Sequence, residues 1–275
     1  MSRATTLAEL AATCDCADAD LDIAEAALLL AALDRPQVPL ERYRVALGEL
    51  VEATATAAGA SPSLAEAASA LGRVIAEAHG YRGDQDTYDD PQNANLMRVI
   101  DRRKGLPVAL GVIYLHTAGK LGWPAHGLSF PGHFLIRLEG AREAAILDPF
   151  NRGIALDAGA LRERVKQVAG RDAELSPQYF QPVSHRAVLL RLQNNLKSRA
   201  LSAGRFERAA EVLESMVTLA PREAWSWREF GTTLARTGAL NAALSALATA
   251  GDLTSDADGR AEIDKLIRQV RAQLN

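Results

Sequence analysis

The sequence contains very little cysteine. Its 275 residues include only Cys14 and Cys16, and two cysteines separated by one residue fit neither a disulfide framework nor a four-ligand zinc site. We therefore expect both to be reduced thiols without a functional role. A nucleophilic role for either would require the N-terminal segment to reach an active site elsewhere in the chain. The sequence predicts no metal site and no cofactor.

The chain also lacks a strong charge of either sign, and it lacks long apolar runs. Its formal net charge is -3 and its isoelectric point is near 6.0, so it has no bulk electrostatic attraction to nucleic acid or to anionic membranes. No stretch approaches the length of a membrane span, and the N-terminus lacks a secretion signal pattern. These absences predict a soluble, cytoplasmic protein with no nucleic-acid or membrane partner.

The residues that are present predict more than one structural part. A chain of 275 residues with a hydrophobic share of 48% is long enough for two domains, each with its own core. Apolar residues recur at helical spacing over residues 21–33, 40–58 and 63–79. These segments predict a helical N-terminal extension over residues 1–80, whose role is packing.

Two further helices are predicted in the following segment. Asn93 or Asn95 is a suitable N-cap for the first of them. The second begins at Pro107, because proline is well tolerated at the first helical position, and it continues to Gly122 with nearly every position apolar. A helix that is apolar on all sides belongs at the centre of a core.

A basic run lies where these two helices meet, and it has two interpretations. It is typical either of a phosphate-binding patch or of a helix that pairs its charges with neighbouring carboxylates and with its own C-terminal dipole. The second interpretation is simpler. The run consists of Arg98, Arg102, Arg103 and Lys104.

Residues 127–153 predict a hairpin that carries chemistry. Two short apolar strands flank a polar turn; His133 opens the first strand and Asp148 closes the second. If residues 139–142 form a four-residue loop, Leu138 lies opposite Glu143, and the antiparallel register places His133 opposite Asp148. A carboxylate beside an imidazole fixes its tautomer, and the two groups together make two members of a nucleophilic triad.

The C-terminal part of the chain repeats itself every 34 residues. Gly204, Ala209 and Leu213 recur as Gly238, Ala243 and Leu247, and this is the tetratricopeptide period. The last segment, residues 262–274, has its apolar residues, Leu274 included, on one helical face, as a capping helix requires. The repeats occupy residues 185–275, and we expect them to present a surface to a protein or peptide partner.

The central motifs resemble a known family. Residues 93–110 follow the pattern NxxLxxVxxRRxGxPxxL, and FPGHFLxR and DPFNxG follow in order. This segment is similar to the transglutaminase-like core of the bacterial SirB-one family, in which tetratricopeptide repeats follow the core. The resemblance implies a papain-like core over residues 81–175. It also implies that His133 and Asp148 occupy the positions of two catalytic residues of the wider superfamily.

The third catalytic position does not match. The superfamily places a nucleophilic cysteine at the start of the central helix, and this position maps onto Pro107, or onto Val108 or Ala109 if the alignment slides. A helix N-terminus lowers the pKa of a thiol and offers free N–H groups to an oxyanion, but proline has neither a thiol nor an N–H. Ser129 is the nearest hydroxyl to His133 in sequence, and its spacing does not establish contact.

Two interpretations of the pair therefore remain. His133 and Asp148 are either an inherited hydrogen-bonded pair that stabilises the strands and the following turn, or part of a retained pocket. In the second case, the helix start and His133 receive a carbonyl or carboxylate. The candidate binding residues are Pro107, Ser129, Asn93 and Arg103.

The sequence thus predicts an α+β fold: N-terminal helices, a small antiparallel sheet on a central helix, and C-terminal helical repeats. The leading functional hypothesis is a non-catalytic or catalytically altered interaction module that acts as a scaffold or regulator. The alternative is a hydrolase or acyl-transfer enzyme that uses His133 and Asp148 with water or an unusual nucleophile. The identity of the partner and the oligomeric state are left open.

Overall fold

The computed structural model describes residues 2–274, and the chain forms two compact units. The first contains Met1–Thr6 and Cys16–Leu189, and the second contains Leu7–Asp15 and Leu190–Asn275. The predicted α+β class is confirmed: helices dominate both units, and the first also holds a small sheet. In the part of the chain that is described, no helix combines the length and apolar character that a membrane span requires.

The helices of the first unit form where their capping signals lie. Helix α1 (Arg3–Cys14) has residues in both units. The other helices of the first unit are α2 (Ile23–Ala32), α3 (Glu41–Ala58), α4 (Leu64–Leu71), α5 (Leu96–Arg102), α6 (Pro107–Lys120) and α7 (Ala158–Ala169). Ser63 caps α4 through a capping box with Glu66, and Asn95 caps α5 through the amide of Arg98. The segment that was predicted as one helix over residues 63–79 changes to π-helical geometry at Gly72–Ala78.

Helix α6 is the central helix of the first unit. It begins at Pro107, as predicted, and most of its residues are buried. Helices α2, α3, α4 and α5 all contact it. An apolar helix surrounded in this way has no face left for solvent, which explains why its sequence shows no amphipathic period.

Five short strands form the antiparallel sheet beside α6. They are β3 (Ala125–Leu128), β4 (Ile136–Glu139), β5 (Ala144–Asp148), β6 (Ile154–Ala155) and β7 (Pro182–Val183), in the spatial order β6-β5-β4-β3-β7. Two shorter strands, β1 (Arg82–Gly83) and β2 (Lys104–Gly105), pair in parallel outside this sheet. Strand β3 lies against α6 and thus joins the sheet to the central helix.

The predicted hairpin exists, but its register is different. Leu138 pairs with Ala145 and not with Glu143, because the loop consists of residues 140–143, closed by the amide of Gly140 on the carbonyl of Glu143 at 2.8 Å. Moving a hairpin loop by one residue shifts the pairing by two. A shift of two keeps every side chain on its original face of the sheet. The first strand begins at Ile136, so His133 precedes it in a turn and does not open it.

The second unit is helical. Its helices are α8 (His185–Ser202), whose first turn belongs to the first unit, α9 (Phe206–Leu219), α10 (Ala224–Arg236), α11 (Leu240–Leu253) and α12 (Ala257–Ala272). Gly204 and Gly238 adopt left-handed φ values of 68° and 83° in equivalent turns, where glycine carries the least strain.

The 34-residue repeat also appears in the packing of the second unit. Ala209 and Leu213 of α9 are fully buried, as are Ala243 and Leu247 of α11. The capping helix is present as α12, with Ile263 and Val270 in the core. Leu274 was predicted on its apolar face but is 47% exposed beyond the end of the helix, so that assignment is wrong.

Candidate functional site

His133 and Asp148 form a hydrogen bond in the first unit. Nε2 of His133 lies 2.8 Å from Oδ1 of Asp148, whose side chain is fully buried, whereas that of His133 is 14% exposed. Asp148 is the last residue of β5, and His133 lies in the turn before β4. The two side chains therefore meet at the end of neighbouring strands, although the two residues do not pair directly. Their catalytic role stays a prediction.

Phe134 fixes the position of His133. Its ring is buried between α6 and β3, where a Cβ atom on Gly111 would lie 2.2 Å from it and one on Gly127 would lie 2.8 Å from it. Real Cβ atoms do not approach so closely, so only glycine permits this packing. The buried ring thus anchors the residue next to the imidazole on two sides.

Asp148 is the centre of a wider hydrogen-bond network. Its Oδ1 also accepts from the amides of Phe150 at 3.1 Å and Asn151 at 3.2 Å, and its Oδ2 accepts from Nδ2 of Asn151 at 2.7 Å. The guanidinium of Arg164 donates to Oδ2 as well. One carboxylate therefore binds the imidazole, closes the turn that follows β5 and pairs with a charge from α7.

Arg164 is a member of the site that the sequence did not reveal. Its side chain is only 25% exposed, and its guanidinium is ion-paired with Asp148. A weak signal existed: Leu161 and Val165 form the buried face of α7, and Arg164 follows Leu161 by three residues, at the edge of that face.

The network keeps Asp148 ionised. Burial by itself would raise the pKa of Asp148, but the hydrogen bond and charge of His133, the amide of Asn151 and the guanidinium of Arg164 together hold it below its ordinary value of 3.8. At neutral pH the side chain is a carboxylate that accepts the N–H of the imidazole. An ionised carboxylate in this position fixes the tautomer and orientation of the imidazole.

Tyr114 lies close to this carboxylate without bonding to it. Its hydroxyl is buried on α6 and has no hydrogen-bond partner among residues 2–274. Burial and the charge of Asp148 both raise the pKa of Tyr114 well above its ordinary value. The hydroxyl instead faces Gly153, where an added Cβ would lie 2.5 Å away. The phenol therefore stays protonated and fills the space beneath the turn.

Aromatic contacts connect the imidazole to the loop after β1. The ring of Phe150 meets that of His133 edge-on, with centroids 6.0 Å apart, and meets that of Tyr88 at 5.8 Å. The carbonyl of Phe150 accepts the amide of Gly83 at 2.9 Å. These contacts pack His133, the turn after Asp148 and β1 against one another.

The start of α6 carries no nucleophile. Pro107 is the first residue of the helix and is buried, and Val108 and Ala109 behind it are buried and apolar. The preceding residue, Leu106, donates its amide to the carbonyl of Asn93 at 2.9 Å. Helix α6 therefore begins at a position that is fixed by the backbone of the preceding segment.

Asn93 and Arg103 make internal contacts. The amide group of Asn93 is fully buried; it donates to the carbonyl of Thr87 at 2.6 Å and accepts from Arg102 at 3.0 Å. The guanidinium of Arg103 stacks on the ring of Tyr81 at 4.5 Å and donates to its hydroxyl. The binding roles predicted for these two residues remain predictions, which their internal contacts disfavour.

The basic run contains several of these internal contacts. Arg102 pairs with the buried Asp84 at 2.9 Å, and Lys104 lies 3.9 Å from the same carboxylate. These two residues fit the interpretation of charges paired with neighbouring carboxylates.

Ser129 is not hydrogen-bonded to His133 within the described residues, and its proposed roles stay predictions. Its side chain is exposed and its hydroxyl makes no hydrogen bond within the described residues, while its amide donates to the carbonyl of Gln181 at 3.1 Å. Cys14 is buried in α1, and Cys16 is exposed two residues after that helix. Of the predicted site residues, the hydrogen bonds thus bring together His133 and Asp148.

Comparison with known proteins defines the class. Residues 41–194 match the profile of the transglutaminase-like superfamily, and residues 196–275 match that of the tetratricopeptide repeat. The class is thus a transglutaminase-like domain followed by helical repeats, as the motifs predict.

Several bacterial proteins are similar to this chain over most of its length. A UPF0162 protein of Xylella fastidiosa is 34% identical over 231 residues, which cover 82% of each chain. One from Vibrio cholerae is 31% identical over 212 residues, covering 77% of this chain and 78% of that one. Protein SirB1 of Salmonella typhimurium is 28% identical over 181 residues, covering 66% and 64%. The chain belongs to this SirB-like family of transglutaminase-like proteins.

Proposed function

We propose that the protein is a non-catalytic or catalytically altered interaction module, in which the transglutaminase-like domain and the repeats serve as a scaffold or regulator. The observation that carries this proposal is that the buried Pro107 starts α6, at the position to which the family resemblance assigns the nucleophile. Acyl transfer through a covalent intermediate needs a thiolate or an activated hydroxyl next to the imidazole, and the residues at this helix start provide neither.

The network around Asp148 supports the same proposal. The carboxylate holds the turn through the amides of Phe150 and Asn151, so the residue has a structural use that needs no reaction. Hydrogen bonds to a buried charge contribute about 1.5–3 kcal/mol each. That contribution is a sufficient reason for the pair to exist without catalysis.

The repeats offer the surface for a partner. Lys197 of α8 pairs with Glu229 of α10, and Arg228 of α10 pairs with Glu262 of α12 at 3.2 Å. These ion pairs join the first helices of successive repeats along one side of the second unit. Tetratricopeptide arrays present such helices to peptides or proteins, so we assign partner binding to this side.

The alternative is a hydrolase in which His133 activates water directly. The partial exposure of its imidazole and its 2.8 Å bond to Asp148 favour this second candidate. Such an enzyme needs water within about 2.6–3.2 Å of Nδ1, the ring nitrogen that does not face Asp148, and an open cleft beside it.

Two measurements separate the candidates. The purified protein is incubated with ester substrates and with an amine-transfer probe, beside a His133→Ala variant. We expect no turnover and no labelling above the variant; turnover that disappears in His133→Ala would refute the non-catalytic proposal.

The interaction role is tested with a bacterial strain that lacks the gene and shows a growth or regulatory phenotype. We expect His133→Ala to complement that strain and Arg228→Glu to fail. Arg268→Glu is the matched control, because Arg268 is exposed on α12 and has no ion pair in the described chain. Failure of His133→Ala together with full activity of Arg228→Glu would favour the enzyme.

A further inference from the structure

A second candidate site lies next to the turn that Asp148 closes. It is a cavity of about 370 Å³ whose walls come from β1, β2 and the turn after β5. Phe150 and Asn151, which support the His133–Asp148 pair from one side, form part of its lining. Neither the sequence motifs nor the interaction proposal gives this cavity a role.

Positive charge dominates the lining of this cavity. Arg82, Lys104 and Arg152 contribute three cations, and Asp86 contributes the one acid. Lys104 is already balanced, since its Nζ lies 3.8 Å from Asp86 and 3.9 Å from Asp84. By contrast, the side chains of Arg82 and Arg152 make no hydrogen bond or ion pair within residues 2–274. Both residues are exposed, so their guanidinium groups are accessible to a ligand in the cavity.

The backbone sets the positions of the three cations. Arg82 pairs with Lys104 in the parallel ladder of β1 and β2, so their side chains leave neighbouring strands at the same level. Arg152 adopts a left-handed φ of 59°, in a turn closed by the amide of Gly153 on the carbonyl of Asp148 at 2.8 Å. Left-handed residues other than glycine are uncommon and concentrate at functional sites. The strained residue is thus one of the two unpaired cations.

We propose that this cavity binds a small carboxylate-bearing ligand through Arg82 and Arg152. The planar fork of a guanidinium matches a carboxylate in geometry and charge. A cavity of about 370 Å³ lies at the lower end of the range of small-molecule sites, so the ligand is small. The site does not depend on the proposed function: it exists whether or not His133 is catalytic.

The experiment is calorimetric titration of citrate into the full-length protein at constant ionic strength. The wild type binds citrate saturably. Loss of a hydrogen bond to a charged group weakens binding about tenfold, so we expect this change for Arg82→Gln and for Arg152→Gln, and no saturable binding for the double variant. Arg142→Gln is the matched control. Arg142 is an exposed arginine in the hairpin loop of the same unit, it lies outside the cavity lining, and its variant binds like the wild type.

Three results would overturn the proposal: no saturable binding of citrate by the wild type, equal binding by the double variant, or saturable binding of inorganic phosphate without binding of citrate. Amide shifts in nitrogen-labelled protein give a second readout. Citrate shifts the signals of Gly83 and Asn151 and leaves the hairpin loop unchanged; the reverse pattern would place the ligand elsewhere. If a glutamine variant fails to fold, Arg82→Lys and Arg152→Lys keep the charge but lose the fork, and still weaken binding.

Discussion

Replacing Gly153 by alanine tests how the turn after Asp148 is held against α6. Gly153 has a φ of 68°, and an added Cβ would lie 2.5 Å from the hydroxyl oxygen of Tyr114. The left-handed backbone costs about 1–2 kcal/mol for a residue with a Cβ. Forcing a methyl group into packed space costs about 1–3 kcal/mol more. We therefore expect Gly153→Ala to lower the free energy of unfolding of the first unit by roughly 2–5 kcal/mol.

Gly122 provides the matched control in the same unit. It has a nearly identical φ of 72°, but nothing lies within 4 Å of an added Cβ. Gly122→Ala therefore measures the backbone cost alone, about 1–2 kcal/mol. The difference between the two variants isolates the contact with Tyr114.

Hydrogen exchange of the α6 amides measures these free energies, because the most protected amides report global opening of their own unit. Tyr114→Phe removes an unpartnered buried hydroxyl, so by itself it does not lower the stability. Combined with Gly153→Ala, it restores about 1 kcal/mol, since the closest atom of the overlap is gone. The reasoning is refuted if Gly153→Ala and Gly122→Ala lower the stability equally, within about 0.5 kcal/mol.

Two further predictions concern buried charges. Asp148→Asn lowers the free energy of unfolding of the first unit by about 3 kcal/mol at neutral pH. Folding lowers the pKa of Asp148 below 3.8. The loss of stability is therefore complete at any pH above the pKa of the unfolded chain, and it disappears as the pH falls through the pKa of the folded protein. Denaturation at a series of pH values measures this loss, and a loss that stayed constant with pH would contradict the prediction. In the second unit, we expect Glu229→Gln to lower the free energy of unfolding by about 1–2 kcal/mol and Lys197→Met to lower it less, because only the glutamine variant leaves a buried ammonium without its counter-charge. Hydrogen exchange of the α10 amides measures the stability of both variants, and equal losses of stability would contradict the argument.

The helices could be predicted because their signals are local. Pro107 at the start of α6 and Asn95 at the start of α5 act on the turn that follows each of them. The π-helical geometry from Gly72 was not predicted, and it coincides with a distant contact: a Cβ at Gly72 would lie 3.4 Å from the carbonyl oxygen of Arg152. Sequence neighbours carry no information about that carbonyl.

The candidate site was predictable in part, and for an instructive reason. The hairpin register was wrong by two residues, and His133 lies in the turn before β4 and not in the strand, yet the hydrogen bond between His133 and Asp148 is present. The contact was found because the hairpin brings the turn before β4 close to the end of β5, in either register. The hydrogen bonds that the side chains of Arg164 and Asn151 donate to Asp148 were not predicted. Both contacts depend on where α7 and the turn come to lie after the sheet has formed, and no period in the sequence encodes that position.

Asp148 accepts several hydrogen bonds at once, and this has a consequence for the evolution of proteins with this fold. The carboxylate is needed to close the turn, and it orients an imidazole at no additional cost. A chain of this fold that has no nucleophile therefore still assembles an oriented histidine each time it folds. Folding stability alone thus maintains the oriented His133–Asp148 pair, whether or not a reaction or a ligand uses it.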